Sequence, residues 1–286
     1  MLSLHQQAKV LFYLTFIYLV SSILLAQETD NTKKLLPNDL IVSIQGDLPI
    51  ILSAPHGGKI SIPEVNDRKG GDSISKFTTV IDSGTLELSE QLAISFEKQF
   101  KAKPYLIAAK FTRKHLDVNR PEKDAFESSL AKPVYDAYHG NIKNAVKEVK
   151  AKFGRGILLD IHGQAKDSKT IFRGTAKNKS VTHLIDRFGW QALTGPKSIL
   201  GILQTSGYKV FPAGDSLDPE EPGYSGGYIV QTYGSSNSGT IDAIQLELGF
   251  DFRNKDKRQI FADELAKAVH SFAKEYLPLE KQNPKK

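Results

Sequence analysis

Residues 156–163 read GILLDIHG: a short apolar run, bounded by glycines, that carries Asp160 and His162 inside it. A run of this length between glycines predicts a buried strand rather than a helix. A carboxylate inside such a strand is costly unless it has a partner or a task. Asp160 precedes His162 by two residues, so a regular strand points both to one face and lets Asp160 brace the ring. Three other apolar runs end in the same way. ILSAPHGG (51–58) delivers His56, AAKFTRKHLDVNR (108–120) delivers Arg113, Asp117, Asn119 and Arg120, and AIQLELG (243–249) delivers Gln245 and Glu247.

Helical patterns lie between these runs. Leu88, Leu92, Phe96 and Phe100 recur every four residues after a natural N-cap at Asp82 or Ser83. Pro133 to Phe153, His183 to Gln204 and Arg258 to Tyr276 are the other helical stretches, with His270 expected to face solvent. PIILSAP (49–55), YLIAAKF (105–111), a short piece near Val210, Tyr228 to Tyr233 and Ile241 to Leu248 complete the expected strands. Gly57 to Asp72 and Asp215 to Gly227 read as loops. Strands alternating with helices predict one α/β domain with a mixed, mainly parallel sheet. Ligands of such sheets bind beyond the carboxyl ends of the strands, which is where the polar residues gather.

The composition narrows the chemistry. The 286 residues include no cysteine, which excludes a disulfide framework, a thiol nucleophile and any Cys-ligated metal. Metal ligands would have to be His, Asp or Glu. The net charge of +6 is spread among interspersed acidic residues without a basic stripe, so no nucleic-acid partner is expected. Residues 1–26 carry Lys9 ahead of an apolar run that ends in Ala26. This predicts a secretory signal removed after Ala26, with a retained membrane anchor as the alternative. The mature catalytic domain then spans 27–280, is secreted or periplasmic, and ends in a flexible tail at 281–286.

Two histidines, several carboxylates and two or three arginines at strand ends fit a His/His/carboxylate metal site with an acidic base and a cationic clamp. A competing pattern is GYSGG at 223–227, which satisfies the G-x-S-x-G spacing of serine hydrolases with Ser225 as nucleophile and His270 as base. That elbow needs a strand before it and a helix after it, and the sequence reads as loop before and strand after. A third reading is a silent carboxylate-binding protein on the same fold.

The ordered set S-x-PHGG (Ser53, Pro55 to Gly58), D-x-NR (Asp117 to Arg120), D-x-HG (Asp160 to Gly163), GGY (Gly226 to Tyr228) and Q-x-E (Gln245, Glu247) resembles the N-formylglutamate amidohydrolase family over about four-fifths of the chain. That family is similar in fold to zinc carboxypeptidases, and the resemblance implies an eight-stranded sheet flanked by helices and one catalytic Zn2+, with another divalent metal as the alternative. It implies His56 and His162 as metal ligands. Asp82 is preferred as the third ligand because it opens a helix, and Glu64 is the alternative. It further implies Glu247 as general base toward a metal-activated water, Arg113 polarising the scissile carbonyl, Asn119 and Arg120 gripping a substrate carboxylate, and Tyr228 touching the substrate. The implied substrate is an N-acyl amino acid or short peptide with a free carboxylate. An export signal departs from the soluble members of the family.

Overall fold

The computed structural model describes residues 35–70, 77–237 and 241–280. The expected signal segment (1–26) and tail (281–286) lie outside the described residues. The strands are β1 (Ile41–Ile44), β2 (Ile50–Ala54), β3 (Tyr105–Ala109), β4 (Ile157–Gly163), β5 (Thr170–Gly174), β6 (Lys209–Phe211) and β7 (Asp242–Leu248). They form one sheet in the order β1-β3-β2-β4-β7-β5-β6. The pairs β2–β3, β2–β4, β4–β7 and β5–β6 are parallel, and β1–β3 and β5–β7 are antiparallel. The sheet is therefore mixed and mainly parallel, with seven strands among the described residues where eight were expected.

The central strands β2 and β3 are buried at every position, as strands covered by helices on both faces must be. Alternate side chains divide between two cores. Leu52, Leu159 and Leu246 pack on one face with Leu88, Leu92 and Phe96 of α1 (Thr85–Phe100), the expected four-residue stripe. Ile51, Ile107 and Leu158 pack on the other face with Tyr138, Ile142 and Val149 of α2 (Lys132–Phe153). Pro133 sits in the first turn of α2, and Gly154 closes it in a left-handed conformation (φ 74) whose N–H reaches the Lys150 carbonyl.

The stretch 183–204 is not one helix. It forms α3 (Thr182–Phe188), a single turn at Gln191–Thr194, and α4 (Ile199–Thr205). Gly189 (φ 75) ends the first piece, and Pro196, which lacks an N–H, separates the last two. Tyr228–Tyr233 is a helix, α5, where the sequence predicted a strand. Its β-branched residues suggested extension, but Ile229, Val230 and Tyr233 are buried at helical spacing, and the Ile229 amide is capped by Asn119 Oδ1 at 2.8 Å. The last helix, α6 (Arg258–Tyr276), has the expected bounds. His270 does not simply face solvent: its ring stacks on Phe100 at 3.7 Å between centroids.

His139 of α2 is buried among tyrosines. Its Nε2 donates to the Val118 carbonyl (3.0 Å), and Nδ1 accepts from the Tyr233 hydroxyl (2.8 Å). Burial lowers its pKa to about 4. The folded pKa lies below the unfolded one, so this ring's contribution to stability is present above pH ~6.5 and is lost as pH falls toward ~4. Urea unfolding at pH 7 and pH 5 should show a loss larger by roughly 2 kcal/mol in the native chain than in His139→Gln. Equal losses would remove His139 as the cause.

Candidate metal centre

β2 lies between β3, which follows it in the chain, and β4, which pairs with its other edge, so the chain reverses direction of travel across the sheet at β2. That switch point opens a crevice beyond the carboxyl ends of β2 and β4. His56 emerges two residues after β2. β4 carries Asp160 and His162, and the register places them opposite Gln245 and Glu247 of β7. The segment after β3 supplies Arg113, Asp117, Asn119 and Arg120. Asp82 enters just before α1, where its amide bonds the His56 carbonyl at 3.0 Å. Its side chain does not cap that helix, contrary to expectation. Gly84 is the residue before the helix, and Thr85 bonds the Asp82 carbonyl through both its amide and its hydroxyl. The Asp82 carboxylate is thereby free to turn toward the histidines.

Three atoms meet there. His56 Nδ1 and His162 Nδ1 are 3.2 Å apart, and Asp82 Oδ2 lies 3.5 Å from the first and 3.3 Å from the second. All three residues are buried. Behind the rings, His56 Nε2 donates to Asp117 Oδ1 (2.7 Å) and His162 Nε2 donates to Asp160 Oδ2 (2.8 Å). With Nε2 protonated toward a carboxylate, each neutral ring presents the lone pair of Nδ1 to the common centre. Two lone pairs and a carboxylate oxygen at one point repel unless a cation or proton sits between them. Tetrahedral zinc with ligands at ~2.0–2.1 Å spaces them by about 3.3 Å, the size of the observed triangle. The donor set thus fits one divalent ion. Glu64, the alternative ligand, is exposed in a turn at φ 63 and takes no part.

The buried charges of the cluster compensate one another. Burial disfavours charge on His162, yet Asp160 and Asp82 push its pKa well up. Burial would raise Asp82, but bonds to His162 and His56 hold its carboxyl far below the usual range. Asp117, also buried, is held low by His56, Arg113 and Arg120.

A cleft of about 400 Å³ opens beside the triangle, lined by Arg113, Arg120, Tyr224, Gln245 and Glu247 among others. Burial pushes Glu247 up to about 7, reinforced by Asp82 and Asp160. Gln245 donates to Glu247 Oε1 at 2.7 Å and is itself oriented by the Gly227 amide at 2.7 Å. Arg113 grips Asp117 Oδ2 with Nε and Nη2, both at 2.9 Å, while Nη1 turns toward the Val80 carbonyl and Asp82. Arg120 bonds the Asn119 carbonyl at 2.8 Å and lines the cleft. Asn119 lines the cleft but is also a brace, tied to Ile229 and lying 3.2 Å from His162 Nε2.

Tyr228 is not brought to the cleft. Its ring packs on His139 at 5.7 Å, because α5 turns it toward α2, and Tyr224 stands at the cleft instead, stacked on Phe172 at 5.1 Å. The glycines after the histidines serve neighbours rather than a ligand. A Cβ on Gly57 would strike the Leu86 amide of α1, and one on Gly163 would strike the Arg253 guanidinium. The Gly163 amide bonds Asp82 Oδ2 at 3.0 Å.

By sequence, no family model and no curated protein matches the chain. By structure, an N-formylglutamate amidohydrolase from Ralstonia eutropha JMP134 superposes with a TM-score of 0.57 at 14% identity, covering 82% of this chain and 98% of that one. The fold is shared. A gene product from Agrobacterium tumefaciens superposes at 0.55 and 14% identity, covering 82% and 95%.

Asp160→Asn keeps the shape behind His162 but removes the charge that fixes its tautomer. Zinc affinity, measured by competition with a chelator, should fall about 10–100-fold. Unchanged affinity would dissociate Asp160 from metal binding.

Proposed function

We propose that the chain is a secreted, zinc-dependent amidohydrolase that cleaves the amide bond of an N-acyl amino acid or short peptide bearing a free carboxylate. The observation that carries this reading is the triangle of His56, Asp82 and His162, with a buried carboxylate behind each ring. The export part rests on the sequence of residues 1–26.

His56, Asp82 and His162 would hold the ion, which supplies Lewis acidity and lowers the pKa of a water from about 16 toward about 7. Glu247 stands beside the triangle without joining it and lines the cleft. Its carboxylate would take the water's proton and return it to the leaving nitrogen. Arg113 lines the cleft and would donate to the developing oxyanion by turning Nη1 from the Val80 carbonyl, and loss of one such donor costs about 3–4 kcal/mol. Arg120, which lines the cleft, would bind the substrate carboxylate. A His/His/carboxylate set also accepts other divalent metals.

The serine reading has less support. Ser225 lies in a loop with no strand before it, and His270 is stacked on Phe100 and shares no hydrogen bond with Ser225 among the described residues. A silent carboxylate-binding protein would have no use for a base beside the triangle.

A chelator should abolish hydrolysis of N-acyl amino acids and zinc should restore it. Inhibition by a serine-directed phosphonate, with chelator without effect, would reverse the assignment. Glu247→Gln should retain stoichiometric zinc and lose turnover by at least a hundredfold. Near-native turnover in that variant would strip Glu247 of the role of base. Arg120→Ala should raise KM at least tenfold with a smaller effect on kcat, as loss of substrate-carboxylate binding requires. An unchanged KM would refute carboxylate capture at Arg120.

A further inference from the structure

A second cavity, of about 750 Å³, lies on the other side of the segment 222–227 that walls the metal cleft. At its edge is Arg173 of β5, which is 2% exposed. Register places Arg173 opposite Leu246, on the sheet face away from Glu247. Its Nη1 donates to the Leu193 carbonyl at 3.2 Å, and among the described residues its buried Nε has no partner. Among the described residues no carboxylate comes within 4 Å of its guanidinium, although the cavity contains Glu220. That carboxylate is already committed: it accepts from the Thr175 amide and hydroxyl and from the Lys177 amide. A guanidinium this deeply buried with an open edge is expensive unless an anion completes it.

The rim is also unusual. Ala176, Lys177 and Asn178 stand in succession at φ 51, 57 and 67, a left-handed conformation that side chains other than Asn and Asp rarely adopt. The Glu220 clamp holds this turn so that Lys177 and Asn178 border the cavity. Strain maintained by such a clamp points to a shaped site rather than a chance gap. Trp190, Leu217, Pro219 and Pro222 give the cavity an apolar wall, with Asp218 and Ser225 beside them. Arg173 and Lys177 are balanced by Asp218 and Glu220, so a monoanion suits the site better than a dianion.

We propose that this cavity is a binding site for a small carboxylate with an apolar body, held by the open edge of Arg173 and packed against Trp190. The volume is in the range of ordinary ligand pockets. The site stands on its own residues and does not depend on hydrolysis at the metal cleft.

Trp190 is the chain's only tryptophan, so its fluorescence reports on the cavity directly. Cyclohexanecarboxylate, added to the full chain, should change that emission saturably. The uncharged cyclohexanecarboxamide and inorganic phosphate should each bind at least tenfold more weakly. Arg173→Gln should weaken carboxylate binding at least tenfold. Leu217→Asp, at a position 66% exposed and safe for folding, should weaken it at least fivefold by placing a like charge on the wall. Arg120→Ala, in the metal cleft, should leave the affinity within twofold. The proposal is overturned by an absence of saturable change, by amide or phosphate binding as tightly as the carboxylate, or by a loss in Arg120→Ala that Arg173→Gln and Leu217→Asp do not show.

Discussion

Each imidazole of the triangle is turned inward because its far nitrogen is taken by a carboxylate with almost no access to water. Asp117 is 1% exposed and Asp160 is 0% exposed. Charges so deeply placed are tolerated only when paired and hydrogen-bonded. Asp117 meets that condition through His56, the Asn119 amide and Arg113. Asp160 meets it less fully, since Oδ2 holds His162 while Oδ1 has no hydrogen-bond partner among the described residues. The price of these two buried charges is the fixed direction of the rings. Free to flip, a histidine would present either nitrogen to the centre, and the triangle would not exist as a geometric object.

The sheet makes this arrangement available. Parallel neighbours β2, β4 and β7 end at one edge, so residues far apart in sequence arrive side by side without any loop having to reach far. Register then sets which polar side chains meet: Asp160 beside Gln245, and His162 beside Glu247. The neighbouring apolar positions, Leu159, Ile161 and Leu246, go to the opposite face and anchor the strands in the core with α1 and α6. Polar groups at the active edge are therefore held by the same strands whose alternate residues exclude water, and a slip of one residue would exchange the two sets.

Much of this was legible in GILLDIHG and ILSAPHGG, because an apolar strand that runs into His or Asp has few structural explanations. The two-residue spacing of Asp160 and His162 correctly predicted their contact. The helix stripe of Leu88, Leu92 and Phe96 and the bounds of α6 followed from period alone. Other features depended on tertiary partners. Asp117 stands in the sequence only as one of several polar residues after an apolar run, and nothing local reveals that it holds His56. β1 (IVSI) and β5 (TIFRG) mix polar with apolar residues and give no continuous apolar run to read as a strand. Tyr228 to Tyr233 carries β-branched residues, and only the cap from Asn119 and the burial of Ile229 and Val230 decide for helix. That turn of α5 is what moved Tyr228 away and left Tyr224 at the cleft.

Gln245 connects the metal cleft to its wall. Its Oε1 accepts the Gly227 amide, which obliges Nε2 to face Glu247, because a flipped amide would set two donors against each other. Glu247 Oε1 is thus occupied, while Oε2 receives no hydrogen bond from a described residue and remains available to a proton at the cleft. The orientation of the carboxyl is therefore set by a backbone amide in the segment 222–227 rather than by a mobile side chain. That segment is packed against Gly174, where any Cβ would collide with the carbonyl of Tyr224. The same packing holds Tyr224 over Phe172 and places Pro222 and Ser225 on the side of the second cavity. One short strap, seated on a glycine of β5, fixes the orientation of the acid group on one side and forms the wall of an anion-seeking pocket on the other.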